Sequence, residues 1–248
     1  MEKYTRTALP PDLYHAHHGA FAEDLPFWRG LAQQAEGPIL ALGCGTGRVA
    51  LPLAAAGARV IGVDLDPAML AFLRARANGL PLRAVQADFH HLPLPRGRFA
   101  LAILPCNTFT TIPLSRRDGF LRGVARVLRP RGVFAFSAPN PASIATLPAR
   151  AEPELEAVFR DAAGLPVQVS TGWDRTETLW RVIWHYDRLH PDGRVERLTV
   201  SQSHHLAPLE TSRARLRAAG FRIEGEYGDF DRSPLTPNAP YWVVVARR

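Results

Sequence analysis

Pro38-Ile39-Leu40-Ala41-Leu42-Gly43-Cys44-Gly45-Thr46-Gly47-Arg48-Val49 is the stretch that decides the fold. Ile39 to Leu42 is an unbroken apolar run, the pattern of a strand covered on both faces. It passes into a loop with glycine at every second position, where the backbone turns sharply and approaches a ligand with no Cβ in the way. Arg48 to Ala56 then reads as a short helix. A dinucleotide loop normally has G-x-G-x-x-G at such a strand–helix turn. Here the third glycine comes one residue early, which disfavours a dehydrogenase.

The alternation continues outward. Arg59 to Val63 reads as a second strand, and Pro67 to about Ala77 as a helix with Asp66 as N-cap and Asn78-Gly79 as its stop. Leu82 to Ala87, Phe99 to Leu104 and Val133 to Phe136 are the third to fifth strands. Ser115 and Asp118 have capping-box spacing for a helix to about Leu128, with Phe120 and Val124 inward and Arg122, Arg126 and Arg129 on a solvated face. Apolar strands alternating with helices predict an α/β fold with a mostly parallel sheet covered on both faces.

After Pro139 the rhythm changes. Residues 140–165 read as a connection with a helical stretch around Pro153 to Ala163. Val167 to Gly172, Leu179 to Leu189 and Arg194 to His204 read as antiparallel strands, the last two joined at Pro191-Asp192-Gly193. Leu209 to Ala219 returns to helix, and Arg222 to Tyr227 and Tyr241 to Ala246 are closing strands. The expected organisation is a helical cap over 1–36 and one domain over 37–248, with an antiparallel insertion at about 166–206 acting as a lid.

Composition narrows the functional classes. The chain has 248 residues, 46% of them hydrophobic and 21% charged, enough for one large core. Its 30 Lys and Arg against 23 Asp and Glu give +7, but the arginines are spread along the chain rather than gathered in a binding stripe. Two cysteines, Cys44 and Cys106, exclude a disulfide framework. No secretory signal or membrane-length apolar run is visible, so a cytoplasmic setting is expected.

Two acids end the next strands. Asp64, with Leu65 beside it, stands where a carboxylate accepts both hydroxyls of a ribose. Asp88, with Phe89 beside it, stands where a carboxylate meets an adenine amino group and a ring covers the base. With the glycine loop, these features fall at the carboxyl ends of successive strands, where open α/β sheets bind ligands.

These segments resemble the class I S-adenosylmethionine-dependent methyltransferases. PILALGCGTGRVALPLAAAG (38–57) is similar to their motif I, VIGVDLDPAML (60–70) to the ribose segment, and VQADFHHLPL (85–94) to the adenine segment. FALAILPCNTF (99–109) and LRGVARVLRPRGVFAFSAP (121–139) resemble motif IV and the following helix and strand. LYHAHHGAFAEDLPFW and the last third resemble a bacterial subgroup near small-molecule N-methyltransferases. The resemblance implies a Rossmann-like seven-stranded sheet in the order 3-2-1-4-5-7-6, with strand seven antiparallel. It also implies S-adenosylmethionine as cofactor, bound by Tyr14, Gly43, Cys44, Gly45, Gly47, Asp64, Leu65, Asp88, Phe89, Pro105 and Asn107. Where the family usually has an acid two residues before the first glycine, this chain has Ala41.

Methyl transfer needs alignment more than a dedicated catalytic residue. A His or Tyr near the acceptor would help it lose a proton, and Tyr14, His204 and His205 are the candidates. In a strand, His204 and His205 point to opposite faces, as would His90 and His91, so each pair offers one inward ring. His15, His17 and His18 read as a surface cluster rather than a metal site, and Cys106 as a packing group bordering the cofactor pocket with Cys44. The expected activity is methyl transfer to a nitrogen or oxygen of a small molecule, by a monomer or homodimer. An RNA methyltransferase and a non-catalytic relative remain as alternatives.

Overall fold

The computed structural model describes residues 9–248, the side chain of His90 excepted; residues 1–8 of the expected cap lie outside the described residues. Helices α1 (Pro11–His18) and α2 (Leu25–Gln33) precede β1 (Ile39–Leu42), whose residues are all buried. There follow α3 (Ala50–Ala55), β2 (Val60–Asp64), α4 (Pro67–Arg76), β3 (Leu82–Gln86), β4 (Phe99–Leu104), α5 (Thr108–Thr111), α6 (Leu114–Val127) and β5 (Leu128–Pro139). Asp66 caps α4 by accepting from the Ala68 N–H at 2.8 Å. The chain continues through α7 (Pro141–Thr146), β6 (Arg150–Arg160), β7 (Pro166–Arg175), β8 (Leu179–Leu189) and β9 (Val195–His205). It ends with α8 (Leu209–Ala218), β10 (Arg222–Tyr227) and β11 (Tyr241–Arg247).

The main sheet runs β3-β2-β1-β4-β5-β11-β10. β1 pairs in parallel with β2 and β4, and β11 runs antiparallel to β5 and β10. This is the expected order, with β10 and β11 as strands six and seven. The central strands β1 and β4 are apolar and buried throughout, so both faces of the sheet's middle are covered, while the edge strands β3 and β10 carry Arg83, Gln86, Arg222 and Glu224. One core layer packs Leu104, Phe109, Phe120, Phe134, Phe136 and Trp242; the other packs Phe27, Trp28, Leu53, Leu101, Ile103 and Val243. Each such side chain contributes roughly 1.5–3 kcal/mol on burial.

A second sheet, β6-β7-β8-β9, is antiparallel and longer than expected. Residues 150–160 form a strand, not the helical stretch expected around Pro153 to Ala163. The edge position explains it. β6 pairs only with β7, its register shifts on both sides of Glu154 to Leu155, and Pro153 lies at the first shift, where no ladder N–H is needed.

Three smaller expectations also change. Pro113, not Ser115, stands at the N-cap of α6, and Asp118 pairs with Arg215 at 2.6 Å instead of capping. On the supposed solvated face of α6 only Arg122 is exposed. Arg126 donates to the Leu92 and Leu94 carbonyls at 2.6 and 2.9 Å, and Arg129 to the Glu36 carbonyl at 2.8 Å, so both tie down loops. His90 and His91 fall in a 3₁₀ turn, Phe89–His91, rather than a strand.

Candidate active site

The glycine loop leaves β1 with positive φ at Gly43, Gly45 and Gly47 (58°, 50° and 92°). A Cβ at Gly47 would lie 2.4 Å from Leu73 Cδ1 and 2.9 Å from Leu51, so the loop is pressed between α3 and α4. The Gly45 N–H donates to Asp64 Oδ2 at 2.7 Å, and the Asp66 N–H to Asp64 Oδ1 at 3.0 Å. Each carboxylate oxygen keeps a further lone pair for a ligand. Leu65, 60% exposed, stands beside it. At the end of β3 the Asp88 carbonyl accepts from the His91 N–H at 2.9 Å. The Phe89 ring meets Phe120 edge-on at 5.5 Å and flanks Gly43.

A narrow cleft at the carboxyl ends of β1 and β4 is lined by Tyr14, Gly43, Cys44, Arg48, Pro105 and Cys106. Both cysteines therefore border one cleft. Cys44 turns toward Gly62, and burial raises its thiol pKa. Burial also raises the Tyr14 phenol, with Cys106 adding to the effect. After β4, Cys106 and Asn107 are both left-handed, with φ of 59° and 58°. Non-glycine residues in that region cost roughly 1–2 kcal/mol each, a strain found at functional turns.

Sequence reading missed the charged heart of this cleft. Arg48 forms a bidentate pair with Asp24 (2.6 and 2.7 Å), donates to the Phe21 carbonyl at 2.7 Å and reaches Cys106 Sγ at 3.1 Å. The side chains are 8% and 1% exposed, and Asp24 also accepts from Trp28 Nε1 at 2.8 Å. The available signal was Ala41. With no acid there, an arginine directly after the last glycine needs its counter-charge from elsewhere, and Asp24 on the approach to α2 supplies it.

The small sheet sits against α1 and α5. Its Val167, Val169 and Tyr186 pack on Leu13 of α1. His17 Nδ1 bonds Tyr186 Oη at 2.8 Å, and its Nε2 lies 3.3 Å from Glu156. Glu156 also accepts from Thr171 and, at 3.1 Å, from Trp184 Nε1. The His17 bond holds its carboxyl down at about 2 against the opposing effect of burial. Burial beside His17 lowers His18 to about 4. His17 and His18 are enclosed between their own helix and the sheet, while His15 of the expected surface cluster turns the other way, to Thr46 Oγ1 at 3.3 Å and the Phe72 ring. Among the described residues no three His, Cys, Asp or Glu gather closely enough to hold a metal.

At the other end of the same sheet, His204 is 6% exposed and bonds Thr110 of α5 at 2.9 Å. His205 is partly exposed, as the strand alternation requires. The structure thus brings Tyr14 and the glycine loop together, and puts His204 across from the end of β4. A groove of about 730 Å³ lies away from all of these residues. It is lined by Arg59, Ile61, Val85, Leu94 and Arg98, where no long helix covers the β3–β4 crossover.

Residues 39–132 match the family model described as a methyltransferase domain. The chain is 29% identical to the cypemycin N-terminal methyltransferase of a Streptomyces species, over 85% of this chain and 82% of that protein. The CcbJ methyltransferase structure from Streptomyces caelestis superposes with a TM-score of 0.74 at 25% identity, covering 100% and 99% of the two chains. The S-adenosylmethionine-bound amino pentose methyltransferase CalS10 from Micromonospora echinaspora shares the fold, with a TM-score of 0.69 at 20% identity over 95% of each chain. Residues 39–132 thus match a methyltransferase domain, and the chain as a whole is similar in fold and sequence to the class I S-adenosylmethionine-dependent methyltransferases. Among the described residues no helix is long and apolar enough to cross a membrane.

Proposed function

We propose that the protein transfers a methyl group to a nitrogen or oxygen of a small molecule held beneath the four-stranded sheet. The observation that carries this reading is the span of that sheet, from Tyr186 of β8, bonded to His17 of α1, to His204 of β9, bonded to Thr110 of α5, across the ends of β1 and β4. The relative named as an N-terminal methyltransferase supports nitrogen.

The residues present fit the cofactor. Asp64, already oriented by two backbone N–H groups, takes the ribose hydroxyls, with Leu65 beside it; Asp88 and Phe89 take the adenine. Gly43, Cys44, Gly45 and Gly47 cradle the methionine–ribose side, and Pro105 and Asn107 border it. Arg48 is the cation for the methionine carboxylate, with Asp24 fixing the direction of its fork. S-adenosylmethionine, when bound, supplies an electrophilic methyl on a sulfonium. Tyr14 and the small sheet exclude water from that centre, and the aromatic rings above it favour a cation. Alignment of this kind is worth ~7–11 kcal/mol of barrier.

The arginines argue against an RNA substrate. Arg48, Arg117, Arg126, Arg188, Arg197, Arg213 and Arg247 are engaged with carboxylates or carbonyls of the chain itself. Charge spent internally does not build a phosphate-binding stripe.

The deciding experiment is incubation with isotopically labelled S-adenosylmethionine and cell extract, read by mass spectrometry of small metabolites. Label in a small amine or hydroxyl compound is expected. Label only in RNA, or cofactor binding with no label transferred, overturns the reading.

A further inference from the structure

Two buried polar atoms in the described residues have no hydrogen-bond partner, Asn107 Oδ1 and Trp180 Nε1. Leaving such a group unpaired costs about 1–3 kcal/mol, so each calls for an explanation. They belong to one connected cluster. Trp180 and His204 are cross-strand partners on β8 and β9, with ring centroids 5.2 Å apart. His204 Nδ1 bonds Thr110 Oγ1 at 2.9 Å, and Thr110 Oγ1 donates to the Asn107 carbonyl oxygen at 2.9 Å. Asn107 is held by its own N–H, which donates to Ser137 Oγ at 3.3 Å.

The hydroxyl has a single proton. With that proton on the Asn107 carbonyl, Thr110 meets His204 as an acceptor, so Nδ1 carries the imidazole hydrogen and Nε2 is the bare nitrogen. Among the described residues no bond to Nε2 is seen. The charges facing this ring are His205 on its own strand and Arg117 from α6, which donates to the His205 carbonyl. Burial, reinforced by His205, lowers the His204 pKa to about 4, so the ring is neutral at neutral pH.

We propose that Asn107 Oδ1, Trp180 Nε1 and His204 Nε2 form the acceptor subsite, and that it takes a polar group bearing both a donor and an acceptor. The donor's hydrogens meet Asn107 Oδ1 and His204 Nε2; the ligand's own acceptor atom receives the Trp180 N–H. This rests on the small-molecule methyltransferase reading and narrows it. An amine or hydroxyl flanked by a second hydroxyl satisfies all three atoms, whereas a purely hydrocarbon amine leaves the indole N–H unpaired.

The test uses the full chain. Calorimetric binding of S-adenosylhomocysteine to the unaltered chain checks the methyltransferase reading by itself, and the same titration on each variant separates a lost cofactor from a lost acceptor contact. Imidazole ¹⁵N spectra, assigned through His204→Gln, then read the tautomer; a proton on Nδ1 and none on Nε2 is expected between about pH 6 and 8, and the reverse overturns the proposal. With S-adenosylhomocysteine present, serinol is the probe and isopropylamine, the same skeleton without hydroxyls, is the control. Serinol is expected to shift the Trp180 indole N–H resonance, assigned through Trp180→Phe. Trp180→Phe and Asn107→Gly should each weaken serinol by about tenfold, the effect of one lost buried partner. Glycine tolerates the left-handed backbone at 107, so that variant folds. Equal responses to both amines, or none to either, overturn the proposal.

Discussion

Gly45 and Asp64 are joined by a 2.7 Å bond from the loop N–H to the carboxylate, so the acid at the end of β2 shapes the glycine loop at the end of β1. With Asp64 proposed as the ribose acceptor, this bond couples ligand binding and loop geometry through one side chain.

Asp64→Ala should accordingly lower both affinity and stability. Loss of a charge-assisted acceptor costs ~1.5–3 kcal/mol, which predicts at least a tenfold weaker S-adenosylhomocysteine complex by calorimetry. Unfolding in urea should fall by a further ~1–2 kcal/mol in the free protein, because the Gly45 and Asp66 N–H groups lose their partner. Unchanged affinity would sink the ribose assignment.

Arg48→Met leaves Asp24 as a nearly solvent-free charge with only Trp28 to answer it. Breaking a buried pair from one side typically costs ~3–5 kcal/mol. Arg48→Met with Asp24→Leu removes both charges and should recover more than half of that loss. Calorimetry separates the binding role: the double variant is expected to fold yet bind S-adenosylhomocysteine at least tenfold more weakly, for want of a cation at the carboxylate.

Acid should weaken the fold in two stages. His18 and His204 have pKa values lowered by burial to about 4, so between pH 6.5 and 4 the unfolded chain binds more protons than the native one. Their contribution is complete above pH 6.5 and lost as pH falls, up to roughly 3 kcal/mol each. Glu156, held at about 2, acts the same way lower down, between its ordinary range and pH 2, and half-exposed it adds less. Urea midpoints measured from pH 8 to 2 should fall through both stages, and His204→Gln should flatten the upper one. A pH-independent midpoint would contradict the buried neutral rings.

Much of this was legible because the chain writes its sheet in unbroken apolar runs. Leu40, Ile103 and Phe136 have no polar alternation to hide, and Asp66-Pro67 announces α4. β6 was not legible. Its charges at Glu152, Glu154 and Glu156 in fact recur with the strand period of two, which a helix would scatter round its axis. Pro153 inside the short charged run masks that period, and pairing with β7 is what holds it extended. The site divided in the same way. Asp64 and the glycines are local to strand ends, whereas the Arg48–Asp24 pair joins residues 24 positions apart and Thr110–His204 joins residues 94 apart. Such pairs leave no spacing signal in a single sequence.

Arg117 supplies the last prediction. It is 1% exposed, stacks its guanidinium over Phe109 at 4.8 Å, and donates to the Ile112 carbonyl at 3.1 Å and to those of Thr110 and His205. Burial, with Arg215 nearby, lowers its pKa to about 10, so it stays charged at neutral pH without a carboxylate partner. The fork thus ties α6 to both α5 and the end of β9, the two elements that carry Thr110 and His204. Arg117→Met keeps the apolar stem and removes the fork. Relief of a buried charge offsets part of the lost bonding, so global stability should drop by only about 1–3 kcal/mol. The local effect should be larger: amide exchange at residues 204–206 should accelerate well beyond that of β4. Arg117→Lys should not restore protection, because an ammonium cannot reach the separate carbonyls as a planar fork does. Exchange at 204–206 that slows or stays level with β4 would show that Arg117 is not what holds the sheet over the site.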